Sequence, residues 1–189
     1  MRPFILFALA LTAGASAVQA QDASQWSGVY GAATYSRGTG FQEYAPDNTY
    51  DLEGNGPGLV LGYNQASGPW VFGGELSYSK VDLGELPPGD DYTFSSFLDL
   101  KARAGYAVGN ALIYGALGAT FTQWQEGEGN GGFDGSGVLY GLGVDYLVSP
   151  QVFIGAEYLR RNVTSDWNTT GDTFDADANT LSLRVGMKF

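Results

Sequence analysis

The 189-residue sequence contains no cysteine and no histidine. Without cysteine, an exported chain cannot be stapled by a disulfide framework. Without histidine, the usual Ser/His and Asp/His catalytic arrangements cannot be built. Carboxylate pairs could in principle serve as acid and base, but the acidic residues are scattered along polar segments. We therefore predict that the protein is not an enzyme and that it has no catalytic residues, cofactor or metal site.

Long apolar runs are missing beyond the N-terminus. Residues 1–20 carry a positive charge at Arg2, an apolar stretch from Phe4 to Val18, and small residues before a cut after Ala20. This pattern is typical of a secretory signal peptide. No later stretch approaches the roughly 18 consecutive apolar residues that a membrane helix needs. We predict that residues 21–189 form a single domain, which can cross a membrane only with strands.

Charged residues are few, at 15% of the chain, and they comprise 20 acids against 9 bases. The net charge is −11, and removal of the positive Arg2 with the predicted signal peptide makes it −12. A protein of this sign does not attract a polyanion, so nucleic acid is excluded as a partner.

The last nine residues alternate apolar and polar side chains without a break. In a strand, such alternation separates the side chains onto two faces. We interpret the apolar face as membrane-facing. Its members are Leu181, Leu183, Val185, Met187 and Phe189, and Ser182, Arg184, Gly186 and Lys188 lie opposite them.

Eight segments are long enough to be membrane strands, most of them meeting the requirement of about 9–11 residues. Short connections at 65–68, 109–110 and 149–150 alternate with long polar ones at 37–56, 81–92, 126–136 and 163–177. This rhythm predicts an all-β fold, an eight-stranded antiparallel up-and-down transmembrane β-barrel with its short turns in the periplasm. The predicted strands are 26–36, 57–66, 69–80, 93–108, 111–125, 137–148, 151–162 and 178–189.

Alternation alone does not decide which face is inside. A soluble periplasmic carrier of the lipocalin type would turn its apolar phase inward around a ligand. Two features favour the inverted arrangement of a membrane barrel. The polar phase is rich in glycine, which suits a narrow interior and would weaken a solvated strand. The apolar phase places aromatic residues near strand ends, as interfacial girdles require. They are Trp70, Tyr78, Phe94, Tyr106, Tyr140, Tyr146, Tyr158 and Phe189.

Eight strands enclose an interior that side chains can fill. Because an unpaired buried charge is costly, the charges of the polar phase predict a network of ion pairs in the lumen. The alternative is a narrow pore for small solutes or ions, since such charges also line ion pathways. The predicted network comprises Glu75, Asp99, Lys101, Arg103, Asp145, Glu157 and Arg184, and Lys188 shares their phase.

The long connections hold 15 of the 20 acidic residues. The simplest interpretation is a solvated, repulsive cell surface. A sharper one is an extracellular ligand, or divalent cations that bridge the acids to lipopolysaccharide phosphates, because hard cations prefer clustered oxygen ligands. The acids are Glu43, Asp47, Asp51, Glu53, Asp82, Glu85, Asp90, Asp91, Glu126, Glu128, Asp134, Asp166, Asp172, Asp175 and Asp177.

Several motifs occur in a specific order and spacing: 26–31 (WSGVYG), 111–118 (ALIYGALG), 141–146 (GLGVDY), 155–158 (GAEY) and the final Phe189. Together they resemble the opacity-protein or porin-like family of outer-membrane β-barrels, relatives of the OmpA transmembrane domain and OmpX. The resemblance covers the chain after residue 20, although the first connection is long for the family. It implies an integral protein of the bacterial outer membrane with a structural, adhesive or weakly pore-forming role.

The resemblance also implies partners. They are outer-membrane lipid, lipopolysaccharide and the outer-membrane insertion machinery, which in such barrels reads a terminal Phe preceded by alternating apolar residues. Some barrels of similar size act as lipid A acyltransferases, lipid A deacylases or proteases, but they use a histidine base. The resemblance therefore carries no catalytic residue over to this chain.

Overall fold

The computed structural model describes residues 23–44, 48–81, 83–86, 92–126, 130–166 and 173–189. The predicted signal peptide lies outside these ranges. None of the described helical residues forms a helix long and apolar enough to cross a membrane. The elements are a 3-10 helix (Ala23–Trp26), β1 (Gly28–Tyr44), β2 (Asn48–Ser67), β3 (Trp70–Ser79), β4 (Leu83–Leu86), β5 (Tyr92–Val108), β6 (Ala111–Glu126), β7 (Asn130–Leu147), β8 (Val152–Asp166) and β9 (Thr173–Lys188).

The antiparallel strands close into a barrel whose wall has eight positions. β1 pairs with both β2 and β9, which joins the two edges of the sheet. β3 and β4 share one wall position, because both pair with β2 in the same register, Gly58 opposite Ser79 and Glu53 opposite Gly84. Nine segments therefore build eight wall strands. The predicted fold class, an eight-stranded antiparallel barrel, is confirmed.

The strands run past their predicted ends on the side of the long connections. β1 continues to Tyr44 and β2 starts at Asn48, so most of the predicted connection at 37–56 is paired strand. Strand residues also occupy parts of 81–92, 126–136 and 163–177. The prediction of long polar loops was therefore wrong for these residues. Beyond a membrane both faces of a strand meet water, so the alternation fades although backbone pairing persists.

The outward face of the barrel is apolar. Every predicted girdle aromatic except Phe94, whose side chain lies outside the described part, is 44–77% exposed on this face. Between the girdles lie exposed aliphatic residues such as Leu61, Leu100 and Leu183. An exposed apolar belt of this extent belongs against hydrocarbon, and it excludes the lipocalin-like arrangement, in which the apolar phase faces inward.

The barrel interior is apolar at both ends. At the turn side, the cluster includes Trp26, Tyr30, Val71, Leu112 and Phe153. At the opposite, loop side, a second cluster contains Leu52, Val81, Leu83, Phe97, Ala176 and Ala178. Phe97, Leu139 and Phe153 stood out of phase in the sequence because they are large apolar residues on the polar side of their strands. All three point inward and are buried.

Trp26 closes the turn side of the barrel. The sequence had predicted that the first strand begins at Trp26, but β1 begins at Gly28. Trp26 lies in the 3-10 helix, and its ring meets the ring of Phe153 edge-on, with 6.3 Å between the centroids. Gly28 follows with φ of 117°, in the left-handed region that favours glycine. This residue lets the chain turn from the helix into β1, so the preceding segment folds back under the barrel.

Candidate functional site

The seven residues predicted to form the interior network all point into the lumen. Each is at most 5% exposed. They reach the lumen because they occupy the inward phase of β3, β5, β7, β8 and β9, and strand pairing fixes their relative heights. Glu75 lies opposite Lys101 across β3 and β5, for example, and Gly155 of β8 separates Asp145 from Arg184 in the wall. The structure thus gathers residues spread over 110 positions of sequence, from Glu75 to Arg184.

Glu75 is the centre of the network. Its Oε1 is 2.5 Å from Nη1 of Arg103 and 2.7 Å from Nη2 of Arg184. Its Oε2 is 2.9 Å from Nζ of Lys101. The hydroxyl of Tyr30 donates a further hydrogen bond to Oε1 at 2.6 Å. One carboxylate therefore holds three cations from two strands on opposite sides of the lumen.

Two more carboxylates complete the network. Asp145 accepts a hydrogen bond from Nη2 of Arg103 at 2.8 Å. Glu157 accepts one from Nζ of Lys101 at 2.6 Å and another from the Tyr114 hydroxyl at 3.1 Å. Arg184 lies 3.4 Å from Asp145 and 3.6 Å from Glu157.

We call the six charged residues with Tyr30 and Tyr114 the central network; its charged members are Glu75, Asp145, Glu157, Lys101, Arg103 and Arg184. Three acids balance three bases. The formal charge of the set is zero, and the charge-assisted hydrogen bonds offset the cost of removing the ions from water.

Asp99 belongs to a second group nearer the loop side. Its carboxylate accepts two hydrogen bonds from Arg161, at 3.1 Å from Nε and 2.7 Å from Nη2. Thr120 donates to Asp99 at 2.7 Å, and Arg161 donates to the Thr180 hydroxyl at 2.8 Å. The guanidinium carbon of Arg161 lies 4.7 Å from the centre of the Phe97 ring. This forked pair is neutral by itself.

The sequence reasoning missed Arg161 and gave its place to Lys188. Arg161 is four residues after Glu157 and shares its inward phase, a signal that could have identified it. Lys188 has the inward phase but lies half-buried at the turn-side rim, where no described carboxylate pairs with it. The predicted balance of four acids and four bases therefore holds with Arg161 in place of Lys188.

Inward-facing glycines make room for the two tyrosines of the central network. A Cβ on Gly62 would overlap the Tyr30 ring, and a Cβ on Gly143 would overlap the Tyr114 ring. The space also lets the guanidinium of Arg103 stack on Tyr114, with 3.6 Å between its carbon and the ring centre. Glycine on the inward phase is thus a packing requirement of the charged core.

The geometry describes a plug. Each buried charge has an opposite charge within ion-pair distance, and apolar clusters cover the lumen at both ends. Within the described ranges, no group of three or more acidic side chains is arranged to hold a metal ion. The five residues predicted as an insertion signal, Leu181, Leu183, Val185, Met187 and Phe189, line the outward face of the last strand.

Comparison with known proteins agrees with this architecture. The family model described as "Outer membrane protein beta-barrel domain" matches residues 7–189. No curated protein sequence matches the chain.

Three solved structures share the fold at low sequence identity. Neisserial surface protein A has a TM-score of 0.58 and 19% identity, over 86% of this chain and 98% of that one. Ail, the attachment invasion locus protein of Yersinia pestis, has a TM-score of 0.54 and 17% identity, over 86% and 99%. OprG from Pseudomonas aeruginosa has a TM-score of 0.52 and 14% identity, over 86% and 96%.

Proposed function

The chain belongs to the family of outer-membrane β-barrel proteins of the bacterial envelope, and from that premise we propose that it is a closed barrel with a structural or surface-interaction role. The family resemblance predicted from sequence is thereby confirmed, and so is the location in the outer membrane. The proposed function concerns what the barrel does there. Its work is done by the loop-side surface, and its lumen does not conduct.

The closed, neutral lumen is the observation that carries this proposal. An ion crossing the barrel would have to separate Glu75 from three cations and pass the apolar clusters at both ends. Breaking such a buried arrangement leaves uncompensated charge in a region shielded from bulk solvent. A barrel of eight strands has no spare width around these side chains.

The acidic loop side supports a surface role in which the ligand is not a polyanion. The name of Ail refers to attachment and invasion, and another structure of Ail, with a TM-score of 0.51 and 18% identity, contains the heparin analogue sucrose octasulfate. In this chain, 15 of 20 acids lie in the loop-side segments. A polyanion would be repelled there, so we propose a basic protein surface, or a ligand bridged by divalent cations, as the partner.

A binding assay on whole cells tests the surface role. Cells displaying the protein should bind basic matrix proteins, and replacement of Asp47, Asp90, Asp91 and Asp172 by Asn should reduce that binding. A variant with Asp22→Asn, which lies outside the acidic connections in the sequence, is the control and should bind as the parent does. Equal binding by both variants would contradict the proposal.

A narrow pore is the second candidate, because the lumen does contain the kind of charges that ion pathways use. Conductance of the purified protein in a planar bilayer separates the two candidates. We expect no channel events from the native chain. Regular unitary currents that change with Lys101→Gln would favour the pore.

We also propose that the barrel has no enzymatic activity. The chain lacks histidine, and the buried carboxylates within the described ranges are all engaged by cations. Lipid A and peptide substrates incubated with the folded protein should be recovered unchanged, and turnover that depends on folded protein would refute this.

The insertion signal stays a prediction, and Phe189 offers its test. Phe189→Ser should lower the amount of barrel assembled in cells, because the outward row of β9 would lose its terminal aromatic residue. Phe72→Ser, at another outward position, is the control. Assembly reduced equally by both substitutions would point to lost lipid contact instead of a recognised signal.

A further inference from the structure

One position of the barrel wall is built from two pieces. β3 ends at Ser79 and β4 begins at Leu83, and both strands pair with β2 on one side and with β5 on the other. β4 has four residues, whereas the other strands that the structure describes have 10 to 20. Because backbone pairing and buried side chains resist local opening, β4 is the described wall strand with the least to hold it in place.

One aliphatic side chain anchors β4 inside the loop-side lumen. Leu83 is fully buried, at 0% exposed, and belongs to the loop-side cluster with Leu52 and Phe97. A Cβ on Gly38 of β1 would lie 2.6 Å from Cδ2 of Leu83, so the glycine leaves the room that the leucine fills. We call the space that Leu83 occupies over Gly38 the loop-side socket.

The outward side of β2 carries two acids beside β4. In the register of these strands, Asp51 lies opposite Leu86 and Glu53 lies opposite Gly84, so neither acid has a cation across from it on β4. Asp51 is exposed and has no ion pair with any cation whose side chain the structure describes. Glu53 pairs with Arg37 at 3.4 Å, but both side chains are largely exposed, so the pair is weak. A strand with cations at these two positions would match charges that β4 leaves unmatched.

A strand that took the place of β4 would recover the backbone pairing that β4 gives up. Without β4, the wall would present two strand edges, residues 51–53 of β2 and residues 93–94 of β5. Extended segments bind proteins by adding a strand to such an edge, where main-chain hydrogen bonds supply affinity and alternate side chains supply specificity. An incoming aliphatic residue would also refill the loop-side socket. The exchange therefore replaces like with like, and the side chains at the outward positions decide its direction.

We propose that β4 is exchangeable and that an extended segment of a basic protein takes its place in the wall by strand addition. The segment carries an aliphatic residue at the position of Leu83 and a lysine or arginine at the positions of Gly84 and Leu86, opposite Glu53 and Asp51. This inference rests on the proposed surface role, to which it adds a mode of binding and a sequence pattern for the partner.

A disulfide that locks β4 to β5 tests the exchange. Gly84 and Thr93 are register partners on these two strands. Opposed residues of antiparallel strands have Cα atoms about 4.5–5.5 Å apart, which a disulfide can bridge. Because the chain has no cysteine, Gly84→Cys/Thr93→Cys contains one possible bridge, and the reduced form of the same variant is its matched control. The bridge leaves Asp51, Glu53 and Leu83 unchanged.

The probe is a short synthetic peptide with a fluorescent label, with leucine on one face and two lysines on the other in the proposed pattern. Its anisotropy reports binding to the full barrel in detergent micelles. The native chain and the reduced variant should bind it alike. The oxidised variant should bind it about tenfold more weakly or worse, because a locked strand no longer opens. A matched peptide with glutamates in place of the lysines should bind more weakly than the lysine peptide to every form.

Two acid-to-amide variants test the charge pattern. A cross-strand charge pair changes affinity about threefold, so Asp51→Asn/Glu53→Gln should bind the lysine peptide about tenfold more weakly. Glu126→Gln/Asp134→Asn removes the same charge from β6 and β7, which do not pair with β4, and should bind as the native chain does.

Loss of the anchor should have the opposite effect. Leu83→Ser weakens the hold of β4 on the loop-side socket and leaves the acids in place, so the lysine peptide should bind about tenfold more tightly. Hydrogen exchange of the native chain then locates the bound peptide. Residues 83–86 should lose protection when the peptide binds, whereas residues 51–53 and 93–94 should stay protected. Migration of the unheated protein in a gel verifies that each variant is a folded barrel.

Three results would overturn the proposal: equal peptide binding by the oxidised and reduced variant, unchanged protection of residues 83–86 in the complex, and equal binding of the lysine and glutamate peptides. Whole cells separate this inference from the surface role. Binding of basic matrix proteins that the disulfide leaves unchanged would overturn the exchange and leave the surface role standing. Peptide binding that the disulfide abolishes, on cells that bind no basic matrix protein, would support the exchange and contradict the surface role.

Discussion

Ion pairs inside the barrel and ion pairs on its outer surface use the same side-chain types in opposite surroundings. Glu75 and Arg103 meet at 2.5 Å with side chains at most 2% exposed, whereas Glu53 and Arg37 meet at 3.4 Å and are mostly exposed. Water screens the outer pair and replaces either partner when the other is removed. Inside, the remaining partner is shielded from bulk solvent, so the difference lies in what remains after a partner is lost.

Glu75→Leu should have the largest effect on stability. It leaves Lys101, Arg103 and Arg184 with only two acids, so the lumen acquires an unbalanced positive charge. We expect the free energy of unfolding to fall by about 3–5 kcal/mol, measured by guanidinium titration of the barrel in lipid vesicles. Glu53→Leu, on the outer surface, should cost no more than about 1 kcal/mol. Equal losses would refute the distinction between the two regions.

The pair of Asp99 and Arg161 should show strong coupling. Each single substitution, Asp99→Leu or Arg161→Leu, strands one buried charge and should cost about 3 kcal/mol. The double variant removes both charges and should cost less than either single change by itself, which a double-mutant cycle measures directly. Additive losses would mean that the two residues contribute separately through packing.

Glycine substitutions should distinguish the inward and outward faces of the barrel by a smaller change in stability. Gly143→Ala places a Cβ against the Tyr114 ring and should cost about 1–3 kcal/mol through overpacking. Gly115→Ala, on the outward face, should change stability by no more than about 0.5 kcal/mol. The same unfolding titration applies to both, and a larger loss at Gly115 would contradict the assignment of faces.

The smallest effect is expected for Arg37→Gln in lipid vesicles. The exposed pair with Glu53 should contribute no more than about 1 kcal/mol, and 1 M salt, with a Debye length of about 3 Å, should abolish even that difference. The effect of Glu75→Leu should persist at that salt concentration, because its pairs are shielded from solvent.

The interior charges could be predicted from sequence because successive side chains of a strand point to opposite faces. Wherever an apolar belt and a charged lumen lie on opposite faces, as around Glu75, Arg103 and Arg184, the phase of one residue fixes that of its neighbours. Two strands could not be phased this way. β1 has Gly31 and Ala33 on its outward face and Tyr30 inside, and β6 has Tyr114 inside, so their residue types contradict the pattern.

Other features were missed because they depend wholly or partly on neighbours in space. Arg161 lies where β8 leaves the apolar belt, so apolar neighbours do not show which of Arg160 and Arg161 points inward. In the structure the two residues face opposite sides of the wall. Continuation of the wall strand through β4 depends on its register with β2. Gly31 and Ala33 of β1 lie between large outward residues only because β2 and β9 place Leu59, Leu61, Val185 and Met187 beside them. Backbone pairing across strands sets the last two.

Arg184 links closure of the wall to the charge balance of the lumen. It lies on β9, whose pairing with β1 joins residues from opposite ends of the chain. Without β9, the acids Glu75, Asp145 and Glu157 would have only Lys101 and Arg103 as counterions within the central network. The last strand therefore supplies the third positive charge of the central network together with the backbone partners that join β8 to β1. A barrel that lacked β9 would therefore differ from the closed protein in the charge of its interior as well as in its backbone pairing.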